Sequence, residues 1–367
     1  MNGIISNDRC WNEEAEGDQD TVIKVLESKL SKSPKALSKS AGRNGCCIFR
    51  VHPGLTKVKV QSYQPRIVSI GPYHHGKEHL KMMEEHKGRF LERAVKRTTE
   101  KKKGVGLKQY VEAVKDLEAE ARACYSEAIN LRSDEFVEML VLDGCFVLEM
   151  FRAFSSGEVG LEEDDPFRSM QWIGFGLHHD FLCLENQIPY FVLEKLFELT
   201  EIDDETMPNG TSHKSCLSLL ALRFFDTSSD EFERKAKGTK DSSLPDGELK
   251  GLHLLDLVRK SYFPKDFGEQ KKPGSGSKDR KYEDRNLHRI SKLRQARIKV
   301  KRNKKEERSF LAVGFKRGRI RMPRLALDDA MCAFLLNCVA FEQCHTGSDR
   351  LVSSGGALLF KGVLMNT

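Results

Sequence analysis

Histidines beside a carboxylate are the residues of this sequence best suited to chemistry. The stretch GPYHHG contains His74 and His75, and GLHHD contains His178, His179 and Asp180. Imidazoles and a carboxylate brought together from separate helices could hold a divalent ion and activate water, as in all-helical metal-dependent phosphohydrolases. The spacing is not diagnostic, because packed helices and surface loops carry the same residues. We expect packed or surface histidines and keep the metal site as the alternative.

Sequence motifs that would define a class of enzyme are absent. The chain contains no G-x-x-x-x-G-K-[ST], no G-x-G-x-x-G opening a helix, no G-x-S-x-G and no H-E-x-x-H. We therefore predict no catalytic residue, no cofactor and no enzymatic activity.

The second candidate is the polar trio Glu185, Asn186 and Gln187, which interrupts the apolar stretch DFLCLENQIPYFVLEKLF just before Pro189. Proline cannot continue a helix but suits the first turn of a new one, so the trio should lie at a junction between two helices. Amides can pair the carbonyl and N–H groups that helix ends leave unpaired, and Glu185 could accept at the new N-terminus. We interpret the trio as a structural junction, with a catalytic carboxylate as the alternative.

The third candidate is a basic run. The net charge is +7, and Lys292 to Arg308 holds nine basic residues. This run could dock on anionic lipid, follow nucleic-acid phosphates or be a solvated helix face, and the last is our default. Few aromatic residues interleave with the charges, so the run does not support base stacking with nucleic acid. The possible anion-binding residues are Lys292, Arg294, Arg297, Lys299, Lys301, Arg302, Lys304 and Lys305.

The ten cysteines predict reduced thiols. Several lie in apolar helical patterns, where a thiol is a small hydrophobe, and no C-x-x-C occurs. We expect no disulfides and place the Cys46–Cys47 pair on an exposed edge, in a structural rather than a redox role.

The elements that must position these residues are mostly helices, so we predict a mainly α, irregular multi-helix fold with a few short strands. Ser133 should be the N-cap of a central buried helix, and a cap at Asp328 or Asp329 should begin the last one. Apolar spacing predicts helices at about 78–98, 107–130, 133–154, 217–225, 253–263, 289–300 and 328–344. Residues 46–51 and 65–73 should be extended or brief strands, and 310–325 a hairpin or an extended segment.

We predict three regions. Residues 1–45 are a disordered arm with a short helix around Thr21 to Leu30, and 46–345 form one helical domain with a mobile insert at about 226–285. Residues 346–367 are a short tail. No signal peptide and no stretch long enough to span a membrane is found in the sequence.

Several segments in this order resemble the plant DUF247 family, whose members are UPF0481-type proteins. The combination of SIGPYHHG, DGCF and ENQIP is specific. The resembling segments are IFRV at 48–51, YQPRIVSIGPYHHG at 63–76, EFVEMLVLDGCFVLEMF at 135–151, DFLCLENQIPYFVLEKLF at 180–197, HLLDLVR at 253–259, GRIRMPRLALDD at 318–329 and LLNCVAFEQC at 335–344.

The resemblance implies a mostly helical protein without an established enzymatic activity. Members usually end in a transmembrane helix at the plasma membrane, and some are linked to self-incompatibility, reproduction or defence. This sequence stops at LLFKGVLMNT, about where members continue, so we expect a C-terminally shortened member that is cytoplasmic or peripheral at the plasma membrane.

Our leading hypothesis for function is a plant regulatory or recognition protein that binds an unknown protein partner, through the GPYHHG loop or the basic run. The alternatives are a metal-dependent phosphohydrolase and a peripheral binder of an anionic membrane surface or nucleic acid.

Overall fold

The chain divides into two compact units in the computed structural model, residues 1–44 and residues 45–367. In the first unit, residues 21–31 form helix α1, which confirms the short helix predicted there. The rest of the predicted arm lies outside the described residues. The structure describes residues 21–31, 45–57, 59–102, 104–155, 167, 171–200, 213–225, 249–262, 297–302, 314–322 and 328–345.

Helices dominate the second unit, which confirms the predicted mainly α fold with a few short strands. The helices are α2 (Pro53–Thr56), α3 (Met82–Lys101), α4 (Leu107–Asp116), α5 (Glu118–Ala123), α6 (Ser133–Ser155), α7 (Gln171–Asp180), α8 (Tyr190–Thr200), α9 (His213–Phe225), α10 (Leu254–Ser261) and α11 (Asp329–Cys344). Single 3-10 turns lie at Val60–Ser62 and Glu78–Leu80, and the strands are β1 (Lys299–Arg302), β2 (Gly314–Lys316) and β3 (Arg319–Met322).

Helix α6 is the centre of the fold, as its apolar sequence predicts. It contacts α3, α4, α8 and α9, and most of its residues from Phe136 to Ala153 are buried. The helix approaches α8 closely because Gly144 has no side chain; a Cβ there would overlap Leu196. A helix that is apolar nearly all round can be covered only by neighbours on every side, and α6 has them.

The N-terminus of α6 differs from the prediction that Ser133 caps it. Ser133 is the first helical residue, and its hydroxyl donates to Glu118 Oε2 at 2.6 Å, so it ties α6 to α5 instead. The backbone N–H of Arg132 donates to Glu135 Oε2 at 2.8 Å. A carboxylate three residues into the helix therefore satisfies the backbone at the helix start.

The two segments predicted as extended or brief strands are not paired in a sheet, and the second one bends at 66–67 and turns at 71–73. In the first segment, Ile48 forms an isolated parallel bridge with Tyr125. In the second, the backbone from Arg66 to Gly71 is hydrogen-bonded to side chains of α6, α7 and the loop after α7. Close packing of this second segment on α7 requires Gly176, where a Cβ would overlap Ile67.

Helices α10 and α11 form a second part of the core. Asp328 caps α11 by accepting a hydrogen bond from the Met331 N–H at 2.7 Å, which confirms the predicted cap. Residues 249–262, which fall inside the predicted mobile insert, include the buried helix α10. The remainder of that predicted insert, 226–248 and 263–285, lies outside the described residues.

The three strands form one sheet in the order β1-β3-β2, with β1 parallel and β2 antiparallel to β3. Strands β2 and β3 with the Arg317–Gly318 turn confirm the predicted hairpin. The helix predicted over 289–300 is wrong at its end, where 299 and 300 belong to β1; the preceding residues 289–296 are not described. Pairing with a partner distant in sequence has overridden the local preference there.

Gly71 and Gly76 offer a matched test of packing in the GPYHHG loop. Both have a positive φ, +79° and +76°, but a Cβ at Gly71 would overlap the Gln187 carbonyl oxygen, whereas one at Gly76 meets nothing within 4 Å. We expect Gly76→Ala to lower the free energy of unfolding by about 1 kcal/mol through φ alone. Gly71→Ala should cost at least about 2 kcal/mol more. Urea unfolding of both variants measures the difference, and equal losses would contradict it.

Candidate functional site

Two members of the polar trio of ENQIP, Asn186 and Gln187, close a buried helix junction, as predicted. Helix α7 ends at Asp180 and α8 begins at Tyr190. Gln187 Nε2 donates to the carbonyl oxygens of Phe181 and Cys183, at 2.7 and 2.8 Å, and Asn186 Nδ2 donates to that of Asp180 at 2.9 Å. The two amides therefore pair carbonyl groups at and just after the end of α7.

The same junction holds the segment 66–70. Asp180 accepts hydrogen bonds from three consecutive N–H groups, those of Arg66, Ile67 and Val68, at 2.7–2.9 Å. Asn186 accepts from the Ile70 N–H at 2.7 Å and donates to the Val68 carbonyl at 3.1 Å. A buried carboxylate and a buried amide thus form the backbone hydrogen bonds that a neighbouring strand would otherwise form.

Glu185 faces elsewhere, and the prediction that it accepts at the start of α8 is wrong. Its carboxylate accepts from the Val51 N–H at 2.8 Å and from Arg50 Nη1 at 3.0 Å, and it lies 3.4 Å from His74 Nε2. Burial opposes the charge, but the nearby His74 ring and the hydrogen bonds from Val51 and Arg50 outweigh it and hold the pKa of Glu185 below its usual value. Glu185 therefore anchors the 46–51 segment and the GPYHHG loop.

His179, Asp180 and Cys183 resemble a nucleophilic triad in composition but not in geometry. His179 Nδ1 lies 2.9 Å from Asp180 Oδ1 and 3.7 Å from Cys183 Sγ, so one ring nitrogen faces both neighbours. In a catalytic triad, one ring nitrogen donates to the carboxylate and the other accepts the proton of the nucleophile. All three residues are buried, and burial raises the pKa of the Cys183 thiol well above its usual value. This arrangement disfavours the thiolate that nucleophilic attack requires.

The five candidate metal ligands do not converge. His74 is buried beside Glu185, His75 is exposed, and the ring of His178 packs on Phe224 at 4.5 Å between centroids. Burial lowers the pKa of His178 to about 4. Within the described ranges, no group of three or more His, Cys, Asp or Glu is arranged to hold a metal ion.

A buried charged cluster centred on Lys87 was missed by sequence reasoning. Lys87 is fully buried, and its ammonium contacts Asp143 Oδ1 at 2.6 Å, Glu84 Oε1 at 2.7 Å and the Ser69 carbonyl at 2.7 Å. Burial opposes its charge, but Asp143 and Glu84 raise the pKa of Lys87. Asp143 also accepts from the Gly71 N–H at 2.7 Å. The sequence feature that could have predicted this cluster is Asp143, a carboxylate within the apolar helix α6.

A second buried cluster joins α10 to α11. Arg259, which is 1% exposed, contacts Asp256 Oδ1 at 2.8 Å and Glu342 Oε1 at 3.0 Å. Asn337 of α11 accepts from the Leu184 N–H at 2.8 Å and donates to the Ser62 carbonyl at 2.8 Å. The junction after α7 is thereby fastened to α11 as well.

The cysteines are placed differently from the exposed edge predicted for Cys46 and Cys47. Both are buried, and Cys46 Sγ donates to the carbonyl oxygens of Ala123 and Tyr125, each at 3.5 Å. Eight of the cysteines are free thiols: Cys46, Cys47, Cys124, Cys145, Cys183, Cys332, Cys338 and Cys344.

The basic run is described at 297–302, which includes four of the eight predicted anion-binding residues. Arg297, Lys299, Lys301 and Arg302 lie in or just before β1. Lys292, Arg294, Lys304 and Lys305 lie outside the described residues. In the part of the chain that the structure covers, no helix is long and apolar enough to cross a membrane.

The structure is of the mainly α class. Its distinguishing feature is the segment 66–70, which is hydrogen-bonded to the buried polar junction between α7 and α8. A family model described as a plant protein of unknown function, DUF247, matches residues 48–358. The chain belongs to this family, as the sequence resemblance predicted.

Two relatives from Arabidopsis thaliana support the assignment. The UPF0481 protein At3g47200 is 34% identical over 352 residues, which cover 92% of this chain and 69% of that protein. The putative UPF0481 protein At3g02645 is 30% identical over 189 residues, which cover 49% of this chain and 33% of that protein. No solved structure shows a significant match to the chain.

Asp180→Asn separates the structural role of this site from the metal hypothesis. An amide offers one acceptor oxygen to the three N–H donors of Arg66, Ile67 and Val68 and turns an NH2 group toward one of them. We expect a loss of about 3 kcal/mol in the free energy of unfolding. The exposed Asp116→Asn is the control, with a change below about 0.5 kcal/mol. Near-stoichiometric metal in the purified chain, abolished by Asp180→Asn and by His179→Ala, would contradict the structural role.

Buried neutral histidines make stability depend on pH. Burial lowers the pKa of His253 from 6.5 to about 4, and that of His178 equally. Because the unfolded chain takes up these protons first, the stabilisation is complete above about pH 6.5 and is lost as the pH falls through 4. Each histidine contributes up to about 3 kcal/mol.

His253→Asn tests this dependence. Asparagine can still cap α10 but does not titrate, so the variant should lose less stability between about pH 7 and 5. The control is His75→Asn, which removes an exposed imidazole. Denaturant unfolding at both pH values gives the slopes, and an unchanged slope for His253→Asn would contradict the assignment.

Proposed function

We propose that this protein acts by binding another protein and has no catalytic role. The support lies in how the polar side chains are used. His179, Asp180, Asn186, Gln187 and Lys87 are buried and hydrogen-bonded to the protein's own backbone or side chains. Groups committed in this way hold the fold and present little reactive chemistry to a substrate.

The GPYHHG loop is a weaker candidate for the binding surface than its sequence indicated. Gly71, Tyr73 and His74 are buried, and the loop exposes only His75 and Gly76. Arg50, whose guanidinium lies 4.2 Å from the centre of the Tyr73 ring and pairs with Glu185, covers one side of it. The loop is therefore an internal anchor with a small accessible tip.

Helix α7 carries the observation that favours a protein partner. Trp172 and Phe175 lie one turn apart and are 55% and 71% exposed, although Ile173 and Leu177 of the same helix are buried. The ring of Phe154, 49% exposed, lies against Gly174, where a Cβ would be 3.3 Å from it. We call Phe154, Trp172 and Phe175 the aromatic face.

Exposed aromatic rings held on a rigid helix are typical of binding hot spots. Trp and Phe are enriched in protein interfaces, and truncation of a hot-spot residue costs 2 kcal/mol or more. The aromatic face matches a partner that presents apolar side chains on a helix or strand. The alternative of a metal-dependent phosphohydrolase would require ligand convergence that the described residues do not provide.

The double variant Trp172→Ala/Phe175→Ala tests the proposed function. The tagged full chain and the variant are used to purify proteins from plant extract, with quantitative mass spectrometry. We expect a reproducible partner whose enrichment falls at least about 30-fold in the variant. The affinity of the purified partner, measured by calorimetry, should fall equally.

The control is Leu107→Ala/Val111→Ala on α4, which truncates two apolar residues that are 50% and 42% exposed. Partner binding should be retained there. Equal enrichment by the wild type and by Trp172→Ala/Phe175→Ala, both folded by circular dichroism, would contradict the proposed surface.

A further inference from the structure

The three-stranded sheet concentrates positive charge. Residues 297–302 and 314–322 contain no Asp or Glu. Among their cationic residues, those shown to be exposed are Arg297, Lys299, Lys301, Arg317, Arg319 and Arg321. We call the four strand residues Lys299, Lys301, Arg319 and Arg321 the basic face.

Strand register brings the residues of the basic face together. Lys299 lies opposite Arg319, and Lys301 lies opposite Arg321. Residues two apart along a strand project from the same side, so all four belong to one face, while Ile320 belongs to the other. Like charges directly opposite each other destabilise a sheet. This pairing therefore works against the fold unless an anion relieves it.

No carboxylate among the described residues neutralises the basic face, because none of its four side chains forms an ion pair with a described residue. Two exposed lysines on the helices are paired instead. Lys108 lies 3.6 Å from Glu112, and Lys195 lies 3.7 Å from Glu198.

Protection of sheet edges explains only part of the charge. Lysine on an edge strand discourages pairing with other chains, which accounts for Lys299 and Lys301 in β1. Strand β3 is the central strand, however, with both edges already paired. Arg319 and Arg321 therefore have no edge to protect.

Two strained arginines extend the basic face at one end. Among the described residues, the non-glycine residues with positive φ are Arg297 at 55° and Arg317 at 50°. The Lys299 N–H donates to the Gly318 carbonyl at 3.0 Å, which places both arginines at the same end of the sheet. The φ of Arg317 serves the two-residue hairpin turn that it forms with Gly318, where both positions need a positive φ, and the two arginines add positive charge at this end.

We infer that the basic face, with Arg297 and Arg317, binds the anionic surface of a lipid bilayer. Laterally mobile headgroups can gather beneath a fixed, flat array of cations without a shaped complement. Single-stranded nucleic acid would need stacking aromatics on this face, and β2 places Phe315 in register with Ile320 instead. A protein interface would need an apolar centre, which the four residues of the face do not provide. This inference goes beyond the proposed function, because a bilayer is a second ligand.

Co-sedimentation with vesicles tests the inference without any protein partner. The purified full chain is mixed with phosphatidylcholine vesicles that contain about one third phosphatidylserine. Arg319→Gln/Arg321→Gln should weaken binding about 30-fold, since each cation near such a surface contributes about fivefold. Lys299→Gln/Lys301→Gln on the edge strand is an independent second variant with the same expected loss. Raising the salt from about 0.1 M to about 1 M should abolish binding.

The matched control is Lys108→Gln/Lys195→Gln, which removes two charges from helices and should change binding less than about twofold. No binding to anionic vesicles, equal binding to pure phosphatidylcholine, or the same loss in the control would overturn the inference. Tighter binding to an RNA oligonucleotide or to polyglutamate than to vesicles would also overturn it. Loss of partner capture in Trp172→Ala/Phe175→Ala with vesicle binding retained would keep the two surfaces distinct.

Discussion

The fold depends on how the backbone of residues 66–71 finds its hydrogen-bond partners. This segment is largely buried between helices, where unpaired N–H groups would cost several kcal/mol in total. No strand lies beside it among the described residues; Asp180, Asn186 and Asp143 accept its N–H groups instead. Three polar side chains in apolar surroundings therefore take the place of a sheet, and the helices that carry them are fixed relative to one another.

Charge balance follows from this constraint. A buried carboxylate is tolerated when several donors or an opposite charge compensate for the lost solvent. Asp143 has Lys87 at 2.6 Å together with the Gly71 N–H, and Asp180 has three backbone donors. Removing one partner from such a group leaves the others unsatisfied, so the polar core behaves as a unit. The same logic places the buried His179 ring against Asp180, with Nδ1 2.9 Å from Oδ1.

Local sequence patterns predicted the helices and part of the junction. The features they missed depend on contacts between residues far apart in sequence. Apolar spacing sufficed for α3, α6 and α11, and Pro189 located the break between α7 and α8. Glu185 was assigned to the wrong neighbour because Arg50 and Val51 are far away in sequence. Lys87 was not singled out in the sequence, because only the fold brings Asp143 to it. Strand β1 likewise forms by pairing with β3, and the helix propensity of its own residues does not predict that pairing.

The polar residues of the core and of the sheet thus form two groups, one stabilised by internal partners and one destabilised by repulsion between like charges. Most of those inside the helical core are satisfied by internal partners, as Asp180, Asn186 and Lys87 are, although the ring nitrogens of buried His74 make no hydrogen bond to the described residues. Those of the sheet repel one another across the register of β1 and β3, and none is offset by a carboxylate in the described ranges. A satisfied interior holds shape, whereas an uncompensated surface stores electrostatic free energy that a ligand of opposite charge can release. Among the described residues, the basic face of the sheet is therefore where we expect a ligand of opposite charge to bind.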